Sequence, residues 1–314
     1  MKIVFLDAAT VGEDLDLSAF ADLGEFVTYP FSTPEQAAER SVDADILIVN
    51  KVPVNEKTIG NAMNLKLVCE AATGINNLDT DYLKQRGIPW KNAAGYSTEP
   101  VAQHTFAMLL YLLEKLSYYD HFVKSGKYSS GLNFTNTDEP YYEIKGKVWG
   151  IIGLGTIGRR VAGIAEAFGA EVIYASASGA APQEGYHQVS LDELYEKSDI
   201  ISIHAPLNQY TENLINKESL NKMKKSCILL NLGRGPIVVE KDLKEALEQG
   251  QIAAAGLDVL VKEPMDDENP LLEIQDSRRL LITPHIAWAS LEARDRLMQI
   301  VYENICEFTN EMMD

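Results

Sequence analysis

A chain of 314 residues, 46% apolar and 24% charged, is long enough for two cores of ordinary size and has the usage of a globular protein rather than a disordered or fibrous one. Its formal net charge of −18 repels nucleic acid and acidic membrane surfaces, so neither is expected as a partner, and a small anionic partner would need a local positive site. No apolar run approaches the roughly 18 residues of a membrane span. The opening Met1-Lys2-Ile3-Val4-Phe5-Leu6-Asp7 reads as a short strand stopped by a carboxylate, not as a signal sequence. Cys69, Cys227 and Cys306 lie far apart in apolar surroundings without disulfide or metal-ligand spacing, so reduced thiols, no metal and a cytoplasmic location are expected.

From residue 1 to about 97, apolar runs alternate with amphipathic stretches. Ile3 to Leu6, Glu25 to Tyr29, Ile46 to Val49 and Leu67 to Cys69 read as strands, and Pro34 to Arg40, Glu56 to Met63 and Asp79 to Arg86 as helices. Such a βαβ series predicts a parallel sheet. Ser97 and Thr98 can cap the next helix, with Pro100 in its first turn. The run Val101, Phe106, Leu109, Leu110, Leu112, Leu113 and Leu116 covers more than one face, which predicts burial between domains or between two subunits. A second series begins near Lys145, with Val148 to Ile152, Glu171 to Ala175, Ile200 to His204, Ile228 to Leu232 and Leu280 to Thr283 as strands. Ser178-Gly179-Ala180-Ala181-Pro182 reads as a loop, and Leu297, Val301, Ile305 and Phe308, after a possible cap at Ser290, predict a closing amphipathic helix.

Gly153-Leu154-Gly155-Thr156-Ile157-Gly158 follows the apolar run Val148-Trp149-Gly150-Ile151-Ile152 and opens the helical stretch Arg159 to Phe168. In that order of strand, turn and helix, the first glycine makes the turn, the second admits a pyrophosphate against the backbone, and the third allows close packing. The helix start then offers N–H donors and positive dipole to the phosphates. An acidic residue about 20 positions on would hold the ribose 2′-hydroxyl of NAD. Here the second strand ends Ile173-Tyr174-Ala175 and continues Ser176-Ala177-Ser178, with no carboxylate to repel a 2′-phosphate and no arginine to bind one. Ser176 and Ser178 are therefore expected to admit both NAD(H) and NADP(H).

Three further segments place charged residues just past strand-like runs, where ligands bind in open α/β sheets. They are Asn231-Leu232-Gly233-Arg234-Gly235-Pro236, Gly256-Leu257-Asp258-Val259 running on to Glu263-Pro264, and Thr283-Pro284-His285-Ile286-Ala287-Trp288. Arginine binds a planar 2-oxo acid through its fork and stays charged. Histidine, with a reference pKa of about 6.5, can give a proton to an alkoxide and take it back, and a carboxylate touching the imidazole stabilises the charged form. Taken singly, Arg234 reads equally as a surface cation, Glu263 as a loop charge, Asp258 as a cap and His285 as a half-buried structural histidine.

Together, the segments GLGTIG, NLGRGPIV, GLDVLVKEP and TPHIAWAS resemble the D-2-hydroxyacid dehydrogenase family over nearly the whole chain. The resemblance implies two doubly wound α/β domains: a flavodoxin-like substrate domain of residues 1–97 with 286–314, and a Rossmann cofactor domain of residues 98–285. It implies that Arg234 orients the substrate, His285 is the acid/base, Glu263 pairs with His285 and Asp258 lies near the nicotinamide. Thr73 and Gly74, in Ala71-Ala72-Thr73-Gly74-Ile75-Asn76-Asn77, would hold the substrate carboxylate through backbone N–H groups, with Lys51 adding charge. Against the cofactor it places Gly153, Gly155, Thr156, Ile157, Gly158, Ser176, Ala205, Pro206, Thr211, Leu232, Gly233, Arg234, Asp258 and His285. His204 is implied to be positional, while His104, His121 and His187 receive no chemistry. AATGINN, GYSTEPVAQH and HIAWAS are most similar to the glycerate dehydrogenase, or hydroxypyruvate reductase, subgroup. The resemblance also implies a homodimer built by the helix after Thr98. Two alternatives stay open: a dehydrogenase for another 2-hydroxy acid such as D-lactate, and an NAD-sensing corepressor-like binding protein.

Overall fold

The computed structural model describes residues 1–179, 181 and 183–311; two positions of the loop expected at 178–182, Ala180 and Pro182, lie outside the described residues. The chain divides into two compact units, Met1–Ser97 with Trp288–Asp314, and Thr98–Ala287.

The first unit has a five-stranded parallel sheet of β1 (Lys2–Phe5), β2 (Glu25–Thr28), β3 (Ile46–Val49), β4 (Leu67–Glu70) and β5 (Trp90–Asn92), in the order β2-β1-β3-β4-β5. This is the flavodoxin-like doubly wound order, which reverses direction between β1 and β3. Every residue of β3 and β4 is buried, as the unbroken run Ile46-Leu47-Ile48-Val49 requires of a strand covered on both faces. Alternate side chains serve opposite faces. Ile3, Phe5, Ile46 and Ile48 meet Leu297, Val301 and Ile305 of the final helix, Leu291–Glu311, whereas Val4, Leu47, Val49 and Val68 meet Ala37 and Leu83. Those last two lie on the helices Pro34–Arg40 and Thr80–Arg86; the first opens on a capping box of Thr33 with Gln36 and Pro34 at its start. The helix expected over Glu56 to Met63 stops at Ile59. The chain continues in tight turns, Ala62 N donating to Ile59 O at 3.0 Å, and the Arg86 guanidinium donates to Ile59 O at 3.2 Å and Ala62 O at 3.0 Å there.

The second unit holds β6 (Val148–Ile152), β7 (Glu171–Ala175), β8 (His187–Gln188), β9 (Ile200–Ile203), β10 (Ile228–Asn231), β11 (Ala254–Leu257) and β12 (Leu280–Ile282). All are parallel, in the order β12-β11-β10-β9-β6-β7-β8, so the direction of winding reverses between β6 and β9. That is the Rossmann order with an added strand at one edge.

The wide apolar surface of the Thr98–Leu113 helix, expected to face another domain or subunit, is largely buried within its own unit against β10, β11, β12 and the Thr156–Ala167 helix, with Leu110 and Leu113 left half-buried. Phe106 stacks near Phe168 at 5.4 Å and Trp149 at 4.9 Å between ring centroids. Met108 and Leu112 press so close to Gly256 that a Cβ there would lie 3.2 and 3.4 Å from them. A helix hydrophobic all round is buried, but sequence cannot name what buries it. Several exposed large apolar side chains come just afterwards, at Leu116, Val123, Tyr128, Leu132, Phe134, Tyr141 and Tyr142. Among the described residues no helix is long and apolar enough to cross a membrane.

Candidate active site

Winding reverses at the C-terminal ends of β6 and β9, and the glycine turn stands there. Gly153 has φ +92°, and a Cβ on it would lie 2.8 Å from Ala205 N in the loop after β9, so the two strand ends touch through a residue without a side chain. A Cβ on Gly158 would come within 2.3 Å of Gly153 O, which is why the helix can lie so close to the turn. Over Gly155 there is open space. No side chain caps the Thr156–Ala167 helix, whereas the helix at Leu191–Lys197 is capped by Ser190 and that at Lys217–Lys222 by Asn216. Uncapped N–H groups at Thr156, Ile157 and Gly158 below an open backbone fit a dinucleotide pyrophosphate.

Past β7, Ser176 and Ser178 bring their hydroxyls to 3.3 Å of each other. Thr211 is 2% exposed, and its hydroxyl is occupied inside its loop: it donates to Pro206 O at 2.7 Å and accepts from Asn208 N at 2.8 Å. It therefore shapes the Pro206 loop. His204, at the end of β9, has both ring nitrogens buried without partners, and desolvation pushes its pKa down to about 3. A neutral imidazole that cannot charge is unsuited to proton transfer near neutral pH.

The acid/base candidates stand together beyond β11 and β12. Asp258, 2% exposed, accepts from Thr283 Oγ1 at 2.6 Å, Ile286 N at 2.9 Å and Ala287 N at 2.9 Å. Its own backbone carbonyl accepts from His285 N at 2.8 Å. Both oxygens of this carboxylate are thus spent on the 283–287 turn, which holds His285 in the left-handed region at φ +55°. The His285 side chain projects to Glu263, with Nδ1 2.8 Å from Oε2, and the other carboxylate oxygen of Glu263 accepts from Leu260 N at 2.9 Å. An ionised carboxylate only accepts, so Nδ1 carries hydrogen and Nε2 is left as the nitrogen that exchanges a proton.

Arg234 precedes a short turn, Gly235–Ile237, fixed by Asn231, whose side chain donates to Arg234 O at 3.0 Å and accepts from Gly233 N at 3.1 Å. A Cβ on Gly235 would overlap Leu260 C and O at 1.9 Å, so the arginine turn rests directly on the segment that leads to Glu263. Arg234, Glu263, His285 and Asp258 are therefore tied through adjoining backbone of one unit. Lys51, Thr73 and Gly74 belong to the other unit, past the ends of β3 and β4. Thr73 donates its hydroxyl to Ala93 O at 2.9 Å.

His104 adds a participant that sequence left without a role. The one hydroxyl hydrogen of Thr283 goes to Asp258, so His104 Nε2 donates to Thr283 Oγ1 at 3.0 Å, and lies 3.6 Å from Asp258 Oδ1. The Thr98–Leu113 helix thereby braces the histidine turn. Only long-range packing reveals this, because 179 residues separate the partners.

Residues 106–287 match the family model described as D-isomer specific 2-hydroxyacid dehydrogenase, NAD binding domain. The chain is 40% identical to a hydroxypyruvate reductase of Blautia hydrogenotrophica, with 98% of this chain and 97% of that protein covered. It is 37% identical to a glycerate dehydrogenase of Methylorubrum extorquens, with 98% and 96% covered. Among solved structures, an acyclic imino acid reductase in complex with NADPH and D-Arg superposes with a TM-score of 0.88 at 32% identity, covering 99% of this chain and 98% of that one. D-lactate dehydrogenase from Aquifex aeolicus, complexed with NAD and lactic acid, gives 0.86 at 28% identity, with 98% and 96% covered. The chain belongs to the D-isomer specific 2-hydroxyacid dehydrogenase family. It is an oxidoreductase of 2-hydroxy acids that works with a nicotinamide cofactor.

Proposed function

We propose that this enzyme reduces hydroxypyruvate to the D-2-hydroxy acid, or glyoxylate to its achiral 2-hydroxy acid, with His285 as acid/base, Glu263 as its partner and Arg234 as the group that orients the substrate. The observation that carries the reading is the 2.8 Å contact of His285 Nδ1 with Glu263 Oε2. It fixes one tautomer and the ring's orientation, leaving Nε2 to deliver a proton to the alkoxide that forms as the C2 carbonyl accepts hydride. Bound nicotinamide supplies that hydride to C2. Arg234 offers a permanently charged fork to the substrate's carboxylate and carbonyl oxygens. Thr73 and Gly74 add backbone donors and Lys51 adds charge for the same carboxylate. Asp258 acts by holding the turn beneath His285, beside the nicotinamide. The relatives named for hydroxypyruvate and glycerate, at 40% and 37% identity, support the substrate class.

Either cofactor is accepted in this reading, because Ser176 stands where an acidic residue would select NAD, and no arginine of the 176–179 segment favours NADP. Buried, unpaired Cys69 and Cys227 fit a reducing, cytoplasmic setting. The half-buried Leu110 and Leu113 of the Thr98–Leu113 helix and the apolar side chains exposed between Leu116 and Tyr142 suit a second copy of the chain in a homodimer. A panel of hydroxypyruvate, glyoxylate and pyruvate, each run with NADH and NADPH, tests the assignment. Hydroxypyruvate or glyoxylate should give the highest kcat/KM, and the two cofactors should differ by less than about a thousandfold. Tight NADH binding without turnover of any of the three acids would instead identify a nicotinamide-sensing protein.

A further inference from the structure

Two buried carboxyl groups in the first unit have no part in the chemistry above. Asp7, past the end of β1, is 2% exposed, and Glu70, the last residue of β4, is 0% exposed. Both grip one strip of backbone. Asp7 accepts from three consecutive N–H groups, those of Asn50 at 3.0 Å, Lys51 at 2.6 Å and Val52 at 3.0 Å. Glu70 Oε2 accepts from Asn77 Nδ2 at 2.8 Å, and the same nitrogen reaches Val52 O at 3.1 Å. Val54 N then donates to Asn77 O at 2.8 Å. The turn that carries Lys51 and the loop that carries Thr73 and Gly74 are thus joined through Asn77, with one acid under each.

The two acids differ in what surrounds their oxygens. Burial raises the pKa of Asp7 above the ordinary carboxylate value, but its three N–H donors act against that rise, whereas Glu70 has one donor and its Oε1 is buried without a partner. The charged groups acting on Glu70 are Asp7, which opposes its ionisation, and Lys51, which favours it. The strand beside it ends on the neutral Asn92, and the final helix turns apolar Leu297 and Val301 toward the sheet. Burial is the larger influence and pushes the Glu70 pKa up to about 9.

We propose that Glu70 is a positioning residue for the substrate carboxylate: through Asn77 it ties the 73–77 loop to the Lys51 turn, and when it ionises, its charge, set beside Asp7 and drawing on Lys51, opposes a bound carboxylate and the anion site weakens. This rests on Lys51, Thr73 and Gly74 holding the substrate. Two separate readouts test it. Infrared difference spectra on the full-length enzyme should show a protonated carboxyl band at neutral pH that disappears around pH 9 and is absent from Glu70→Gln. Hydroxypyruvate binding to the NAD⁺-loaded enzyme should be measured in a His285→Ala background, which removes the imidazole titration. If only the neutral form binds, the Kd scales as 1 + 10^(pH − pKa), a rise of about tenfold from pH 7.5 to 10. In His285→Ala/Glu70→Gln, whose amide stays neutral, the rise should be less than about threefold. Equal rises in the two backgrounds, or a carboxyl band unchanged by Glu70→Gln, would overturn the proposal. A Kd that Lys51→Met leaves unchanged at pH 7.5 would refute the substrate site itself, and the positioning role with it, whatever the infrared spectrum shows. A melting temperature within a few degrees of the parent shows that each variant has folded.

Discussion

Replacing Asp258 by asparagine perturbs the histidine turn without touching the imidazole. The carboxylate accepts from Thr283 Oγ1 and Ile286 N through Oδ1 and from Ala287 N through Oδ2. An amide can keep only one of those oxygens. In its better orientation the amide nitrogen meets the Ala287 N–H, donor against donor, and Ala287 is 4% exposed, so water cannot take the lost place. One charge-assisted bond is lost, about 1.5–3 kcal/mol, and a buried donor is left unpaired, so the total is about 2–4 kcal/mol. For a unit of this size, 1 kcal/mol moves Tm by roughly 2–4 °C, which predicts a fall of about 4–16 °C. His285 would lose its fixed position, and a displacement of about 1 Å at a reacting group can cost on the order of 10²-fold, so kcat should drop 10- to 100-fold. Calorimetry gives the first quantity and single-turnover reduction of hydroxypyruvate the second, with NADH affinity as the control. A variant within about 1 °C of wild-type Tm and within about twofold in kcat would refute the clamp.

Arg234→Lys should raise the KM for the 2-oxo acid about tenfold or more, with a smaller change in kcat, because a point charge replaces a two-pronged donor; steady-state kinetics checks the split. Gly158→Ala places a methyl 2.3 Å from Gly153 O, a backbone atom that must move, so the NADH Kd measured by fluorescence should rise at least about tenfold. The pH dependence of stability follows from Glu70, whose pKa is raised from an ordinary 4.5 to about 9 in the folded chain. Its contribution is complete below about pH 4.5 and is lost as pH rises toward 9, amounting to about 3 kcal/mol by pH 7. Glu70→Gln lacks that slope and should melt higher than wild type at pH 8; an equal or steeper decline in the variant would contradict the burial of a neutral acid.

Both sheets were legible because their strands are buried on two faces, which leaves unbroken runs such as Ile46 to Val49 and Ile228 to Leu232. Among the elements that escaped, two strands exist only through their neighbours, while the capped helices Leu191–Lys197 and Lys217–Lys222 carried local signals that went unread. Trp90-Lys91-Asn92 has no apolar pattern and becomes β5 only by pairing with β4. His187 and Gln188 form β8 solely along β7. The Glu56 helix gives way after Ile59 to turns whose carbonyls also accept from Arg86 of another helix. Arg234, Glu263 and His285 were marked by residue type at strand ends, but the clamp that joins their backbones, Asp258 to Thr283 to His104, spans too much sequence for any local pattern. The Thr98–Leu113 helix shows the same limit, since its composition announces burial without saying against what.

Proton delivery by His285 is the step on which reduction of the 2-oxo acid most directly depends. Its test is the rate of NADH oxidation by hydroxypyruvate in a single turnover, compared between wild type and His285→Ala with both cofactor and substrate saturating. The rate should fall on the order of 10²- to 10⁴-fold while NADH binding stays nearly unchanged. A His285→Ala enzyme that turns over at the wild-type rate would contradict it.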